Sequence, residues 1–279
     1  MGRVGGVAPT VTTLTTRADT KPECCSSNAP NIYQGVIPLG LAIPRTEKHI
    51  PKPLPEVLHS CSCSTDMNRG DLATIIDHTV LGPTTTGEQV QTTAIEAEQY
   101  GMNVCVPPCY LDVACSVAES ASVVTVIGFP HGQTTPTIKS EAAVQAYNAG
   151  ADEIDMVLNI GQVKAENRDV VYDEIAEVVA AVPAPVKVIV ETALLSTAEI
   201  EQAGSIAQDA GAAFLKTSTG FASEGATEEG VSTLAQYLPV KASGGIRSYE
   251  DAMRLIDAGA ERLGASSGVK ILQSAPVSD

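Results

Sequence analysis

Downstream of residue 70 the chain alternates between short apolar runs and longer stretches in which apolar residues recur every three or four positions. The short runs predict buried strands and the longer ones amphipathic helices. Strands are expected over 72–78, 103–106, 123–129, 153–159, 186–192, 213–217, 240–243 and 262–265. Helices are expected between them over 87–100, 111–120, 138–148, 170–182, 197–209, 228–237 and 249–257, with a short one at 267–273. Ser196-Thr197-Ala198-Glu199 reads as a capping box. Gly101, Gly150, Gly211 and Gly259 each fall where a helix gives way to a strand. Ala-Gly-Ala recurs at 149–151, 210–212 and 258–260, a repeated joint. Eight β–α units in about 200 residues fit an α/β fold of the closed (β/α)8 TIM-barrel type. An open doubly wound sheet would carry a glycine-rich phosphate loop after its first strand. Asp77-His78-Thr79-Val80-Leu81-Gly82-Pro83 has no such pattern.

Residues 1–66 read differently. They are rich in Thr, Ser and Pro and keep no helical or strand period, so a disordered or irregular extension is expected ahead of a barrel domain at 67–279. Met67 is an alternative start, because ordered patterning begins just after it. The apolar patch at 35–44 is broken by prolines and follows no basic segment, which argues against a signal peptide.

Composition narrows the class. Hydrophobic residues make up 44% of 279, yet aromatics only 4% and Trp is absent. The core must come from Ala, Val, Ile and Leu, which suits parallel strands covered by helices. No run of 18 apolar residues occurs, so no membrane-spanning helix is expected. Net charge is −16, divided as +1 over 1–66 and −17 over 67–279. That acidity argues against nucleic-acid binding, which wants a basic face. It reads either as an ordinary soluble surface or as adaptation to high salt, and the six lysines of the barrel segment favour the second. The seven cysteines form no Cys-x-x-Cys pair, so free thiols and a cytoplasmic protein are expected.

Candidate chemistry lies where ionisable residues interrupt apolar runs. Lys216 ends Ala213-Phe214-Leu215-Lys216, Lys241 lies in Val240-Lys241-Ala242, and Asp155 breaks Ile154-Asp155-Met156. In a barrel the C-terminal strand ends carry the active site. Two inward lysines on neighbouring strands, about 4.8 Å apart, disfavour each other's charged form, and burial adds to this. One is expected to become a neutral amine able to form a Schiff base with a carbonyl, with Asp155 moving protons. The alternative is structural: strand-end lysines snorkel to solvent and an acid pairs with one of them. Lys187 reads equally as a catalytic group or as a partner of Asp155 or Glu191. His78 and His131 lack metal-ligand spacing and read as structural, and Cys105 as a small packed hydrophobe near the site. Ser243-Gly244-Gly245-Ile246-Arg247-Ser248 and Gly264-Ala265-Ser266-Ser267-Gly268 each precede a helix and suggest an anion site after strands seven and eight.

Taken together, Ile76-Asp77-His78-Thr79, Val104-Cys105-Val106-Pro107, Glu153-Ile154-Asp155-Met156-Val157, Val190-Glu191-Thr192, Leu215-Lys216-Thr217-Ser218-Thr219-Gly220, Lys241-Ala242-Ser243-Gly244-Gly245-Ile246-Arg247 and Gly264-Ala265-Ser266-Ser267 resemble the deoxyribose-phosphate aldolases from about residue 71 to 273. The resemblance implies a class I aldolase that interconverts 2-deoxy-D-ribose 5-phosphate with glyceraldehyde 3-phosphate and acetaldehyde, without metal or organic cofactor. Lys216 would form the Schiff base, Lys241 would lower its pKa, and Asp155 would donate and accept protons. Gly220, Gly244, Gly245, Ser266 and Ser267 would line the phosphate pocket, with Asp77 and Thr79 near the sugar hydroxyls. Pro107 departs from the Asn of many members. Another Schiff-base aldolase or transaldolase, or a non-catalytic phosphosugar-binding barrel, are the competing readings. Barrels of this kind often form homodimers, although no interface is legible in the sequence.

Overall fold

A computed structural model describes residues 67–276, together with Gly2. The expectation for 1–66 lies outside the described residues. Eight parallel strands pair in sequence order and the last closes on the first, giving the barrel that the alternating pattern predicts. The strands are β1 (Ile76–Thr79), β2 (Asn103–Val106), β3 (Val123–Ile127), β4 (Glu153–Val157), β5 (Val186–Ile189), β6 (Phe214–Lys216), β7 (Val240–Ser243) and β8 (Ala260–Ala265). The helices are α1 (Arg69–Thr74), α2 (Gly87–Tyr100), α3 (Leu111–Cys115), α4 (Pro136–Asn148), α5 (Ile160–Lys164), α6 (Arg168–Ala181), α7 (Thr197–Asp209), α8 (Glu228–Leu234), α9 (Tyr249–Asp257) and α10 (Gly268–Ser274). None is long and apolar enough to cross a membrane.

Local chemistry explains both the agreements and the differences. The Ser196–Glu199 capping box starts α7 as its sequence predicts, and Thr86 with Gln89 makes a second one at α2. Gly101, Gly150, Gly211 and Gly259 take φ of 73, 106, 80 and 108°, the left-handed turn that lets helix feed strand. Residues 72–75 were expected in a strand but lie mostly in α1. There Asn68 caps the helix by accepting from the Asp71 amide, and β1 begins only at Ile76. The helix expected over 111–120 stops at Cys115. Beyond it, the Glu98 carboxylate takes the amides of Glu119, Ser120 and Ala121, which removes them from the helical ladder. Helix α5 was not expected; the Asn159 side chain starts it by accepting from Gln162 N.

Each strand presents alternate side chains to opposite faces. Ile154, Met156, Val186, Val188 and Leu215 point outward and join one continuous apolar layer beneath the helices. The inward positions are different. Barrel interiors of this kind are usually filled by branched aliphatics, whereas Asp77, Glu153, Asp155, Lys187, Lys216, Lys241 and Arg262 are all buried here. A separate buried pair, Lys139 and Glu174, braces the loop after β3. The Lys139 ammonium donates to the carbonyls of Gly132 and Val157, each at 2.7 Å.

Candidate active site

The register sets the geometry. Lys216, the last residue of β6, is the pairing partner of Lys241 on β7, and Asp155 on β4 is the partner of Lys187 on β5. Both lysines of the first pair point inward and reach across the barrel to one carboxylate oxygen. Lys216 Nζ lies 2.9 Å and Lys241 Nζ 2.7 Å from Asp155 Oδ2. Lys187 Nζ lies 2.9 Å from the other oxygen, Oδ1, and also pairs with Glu153. Lys241 pairs in addition with Asp77, whose Oδ1 accepts from Arg262 at 2.9 Å and from Asn103 at 3.1 Å. Gly264 on β8 leaves room for this: a Cβ there would sit 3.1 Å from Lys241 Cε.

The charges follow from the contacts. Burial alone would raise the Asp155 carboxyl, but Lys187, Lys216 and Lys241 outweigh it and hold Asp155 well below the usual carboxylate range. Asp77 is held low in the same way, burial being overcome by Lys241, Arg262 and Lys187. Burial would lower Lys241, yet Asp155 and Asp77 push it far above the ordinary lysine value. Lys187 is raised against burial by Asp155 and Glu153. Mutual repulsion between the two lysines, expected from sequence, is therefore outweighed at Lys241, because Asp155 and Asp77 are both in contact with it. Burial pushes the Cys105 thiol up, which keeps it neutral beside the cluster.

Above the cluster, at the C-terminal mouth, lies a cavity of about 330 Å3. Lys216 forms part of its floor. Thr79, Gly220, Gly244, Gly245, Ser266 and Ser267 line it, as does Arg247. The three glycines take φ of 85, 87 and 80°, and the Gly244 backbone packs so closely that a Cβ would lie 3.0 Å from Gly225 Cα. Main-chain amides can therefore approach an anion that side chains would otherwise hold away. Asp77 is not on the wall; the structure places it beneath Lys241, inside the ionic cluster.

Several participants were not singled out by sequence reasoning. Arg262 and Glu153 join the cluster from positions that read only as strand residues. Glu191 does not meet Lys187. Its carboxylate instead pairs with the Thr219 hydroxyl and accepts from Thr219 N at 3.2 Å, which shapes the turn after Lys216. Its own φ of 58° is unusual for a side chain of this kind and is the sort of local strain that collects at functional loops. His78 is paired with Glu96 at 2.8 Å on the outer face of β1. His131 and Pro107 line a second, more apolar cavity of about 690 Å3, which meets the first at Leu81, Gly82 and Phe221. Phe129 and Phe221 meet edge to face there, with ring centroids 5.3 Å apart.

A lysine that shares a buried carboxylate with a second lysine, at the open end of a parallel barrel, is an arrangement suited to the class of enzymes that capture carbonyl carbon through an amine. The comparisons narrow that class. The family model described as DeoC/LacD family aldolase matches residues 72–274. The deoxyribose-phosphate aldolase of Haloquadratum walsbyi is 58% identical over 214 residues, spanning 75% of this chain and 98% of that one. That of Natronomonas pharaonis is 52% identical, spanning 74% and 95%. Among solved structures, a putative deoxyribose-phosphate aldolase from Coccidioides immitis aligns with TM-score 0.73 at 39% identity, covering 76% of this chain and 88% of that one. The deoxyribose phosphate aldolase from Aeropyrum pernix, described as tetrameric, aligns with TM-score 0.69 at 36% identity, covering 74% and 92%. The chain belongs to the DeoC/LacD aldolase family.

Proposed function

We propose that the protein is a class I aldolase that reversibly cleaves 2-deoxy-D-ribose 5-phosphate to D-glyceraldehyde 3-phosphate and acetaldehyde, with Lys216 as the Schiff-base residue. The observation that carries this reading is Asp155 Oδ2 lying between Lys216 and Lys241 below the cavity. The relatives' shared name supplies the substrate.

The chemistry follows from the contacts. The free amine of Lys216 adds to the C1 aldehyde of the open-chain sugar, and loss of water from the carbinolamine gives an iminium. Deprotonation of the C3 hydroxyl then breaks the C2–C3 bond. The electron pair flows into the iminium to give an enamine, and glyceraldehyde 3-phosphate leaves. Protonation of the enamine carbon and hydrolysis release acetaldehyde and restore the amine. Asp155 is within hydrogen-bond reach of the reacting nitrogen, so it serves as the group that takes and returns its protons. Lys241, kept cationic by Asp77 and Asp155, disfavours a second positive charge at the neighbouring nitrogen. Without Lys216, the three carboxylates of the cluster are matched by Lys187, Lys241 and Arg262, so a free-base Lys216 leaves no acid unpaired. Gly220, Gly244, Gly245, Ser266 and Ser267 receive the phosphate, and Arg247 on the same wall supplies a balancing charge. Thr79 contacts the sugar, and Asp77 acts indirectly by holding Lys241.

The test is chemical trapping. Incubation with deoxyribose 5-phosphate followed by borohydride reduction should leave one adduct, mapped to Lys216. An adduct elsewhere, or none, ends the assignment. Lys216→Leu should abolish cleavage without unfolding the barrel.

A further inference from the structure

The buried ion pairs form a closed circuit. Arg262 Nη1 lies 2.9 Å from Asp77 Oδ1, and the other oxygen of Asp77 pairs with Lys241. Lys241 lies 2.7 Å from Asp155 Oδ2, and Asp155 Oδ1 lies 2.9 Å from Lys187. Lys187 pairs with Glu153 Oε2, and Glu153 Oε1 returns to Arg262 Nη2 at 3.2 Å. Acids and bases alternate around the ring, and every carboxylate gives one oxygen to each of two cations. The ring draws on β1, β4, β5, β7 and β8, so it ties strands across the barrel as well as neighbours. Lys216 is attached to it at one atom only, Asp155 Oδ2.

We propose that Arg262 and Glu153 are positioning residues for the imine chemistry: by closing this ring they fix Asp155 with Oδ2 aimed at Lys216 and set the charge that the reacting amine faces. The proposal rests on the reading of Lys216 as the Schiff-base residue. Neither residue lines the cavity, so any effect they have on turnover passes through the ring. With Arg262 absent, Asp77 keeps a single cation, Lys241, and that ammonium is drawn toward Asp77 and away from Asp155. With Glu153 neutral, Lys187 depends on Asp155 Oδ1 alone and turns the carboxylate toward β5. The two changes alter charge in opposite senses, which separates positioning by charge from simple loss of packing.

The ionisable groups around Lys216 are Asp77 from β1, Cys105 from β2, Glu153 and Asp155 from β4, Lys187 from β5, Lys241 from β7 and Arg262 from β8. Arg247 faces it across the cavity and Glu191 holds the turn beyond it. Strand β3 contributes no ionisable side chain. Of these groups, Glu153 and Arg262 can be neutralised without touching the wall of the cavity.

The experiment is the pH profile of kcat/KM for deoxyribose 5-phosphate in the full chain and in E153Q, R262Q, R262K and the E153Q/R262Q double variant. The acidic limb reports the free enzyme's essential groups. R262Q removes a positive charge, favours the ammonium form of the amine and moves the limb to higher pH. E153Q removes a negative charge and moves it to lower pH. A charge roughly 10 Å away at an effective dielectric near 20 shifts the limb by about one pH unit. R262K retains the charge and keeps the native limb, and the double variant returns close to it. KM for the phosphorylated substrate stays near native throughout. Limbs that stay put, limbs that move the same way, or failure of both single variants to fold would overturn the proposal and leave the ring as a structural brace. Borohydride trapping at Lys216 in the unmodified protein is run alongside. If trapping succeeds and the limbs stay put, only the ring proposal falls; if trapping fails, the aldolase reading falls and this proposal with it.

Discussion

Lys216 and Lys241 donate to the same oxygen of Asp155, at 2.9 and 2.7 Å, from register-paired positions on adjacent strands. One carboxylate therefore orients both amines, and it is the member of the trio whose charge cannot be replaced by geometry alone. Asp155→Asn keeps an acceptor but removes the counter-charge of three lysines. Loss of a positioned proton carrier typically lowers rate by about 10²–10⁴-fold, and breaking a buried ion pair costs about 3–5 kcal/mol. Steady-state kinetics and thermal unfolding of Asp155→Asn should show both losses. A variant within tenfold of native kcat would remove Asp155 from the proton path.

Stability against pH carries a second expectation. Asp77 and Asp155 are depressed below 3.8, so the stability they contribute is present above that value and is lost as pH falls through their folded values. Lys187 and Lys241 are raised above 10.5, so their contribution is present below that value and is lost as pH rises through their folded values. The ring thus gives no slope between these limits. Its loss belongs to strong acid and strong alkali. In about 1 M salt, where surface charges are screened within about 3 Å, the difference in melting temperature between the native chain and Asp155→Asn should be flat from about pH 5 to pH 9. A difference that begins to shrink near pH 6 would contradict the pairing of these four groups.

Gly264 gives a steric test of the same geometry. It is buried on β8, and a Cβ there would meet Ser243 Cβ at 3.0 Å and Lys241 Cε at 3.1 Å. Ser243 Cβ is fixed to the β7 backbone, so the contact is relieved mainly by a shift of a few tenths of an ångström in the Lys241 side chain. Gly264→Ala should cost about 1–3 kcal/mol from overpacking. A displacement of about 1 Å in a reacting constellation can lower turnover by about 10²-fold, so this smaller shift at Lys241 should lower it by roughly threefold to tenfold. Melting temperature and kcat measured on one preparation should therefore fall together. A native kcat would mean that Lys241 keeps its place by another route.

What the sequence made legible was the repeat and its exceptions. Alternation of apolar runs and helical stretches was enough to predict the barrel, because parallel strands covered on their outer face read as near-continuous apolar text. Lys216, Lys241 and Asp155 stood out because each interrupts such text, and the structure brings these three together. Asp77 stood out too, expected near the sugar hydroxyls; the structure pairs it with Lys241 beneath the cavity. Arg262 and Glu153 were missed because they lie near strand starts, where charged residues usually face solvent. Only the register turns them inward. Of the two partners offered for Lys187, the structure gives Asp155; Glu191, with its left-handed backbone, turns toward Thr219, a change of direction that no spacing rule contains. The helix expected at 111–120 stops at Cys115 for a related reason: the competing acceptor, Glu98, is distant in sequence.

The acidity of the folded segment leads to the last prediction. Residues 67–279 carry a net charge of −17 with only six lysines, and five of the six make ion pairs in the structure: Lys139, Lys187, Lys216 and Lys241 in buried pairs, and Lys164 with Glu199 at 3.3 Å. Four of the six lysines and Arg262 are buried, so few cations remain to offset the acids of the surface. At low ionic strength these repel over about 30 Å, and at 1 M salt over about 3 Å. Adding salt should therefore raise the melting temperature, most steeply over the first few hundred millimolar, where the Debye length falls fastest. The buried ring is shielded from solvent and contributes little to that slope. Replacing exposed acids such as Glu177, which lies one turn from Asp173 on α6, and Asp257 at the end of α9 by their amides should raise the melting temperature in dilute buffer and reduce its dependence on salt. Thermal unfolding of the native chain and of such a multiply neutralised variant, across a salt series, measures both effects. A melting temperature indifferent to salt in the native chain would show that its acids are ordinary solvated surface and not an adaptation to concentrated electrolyte.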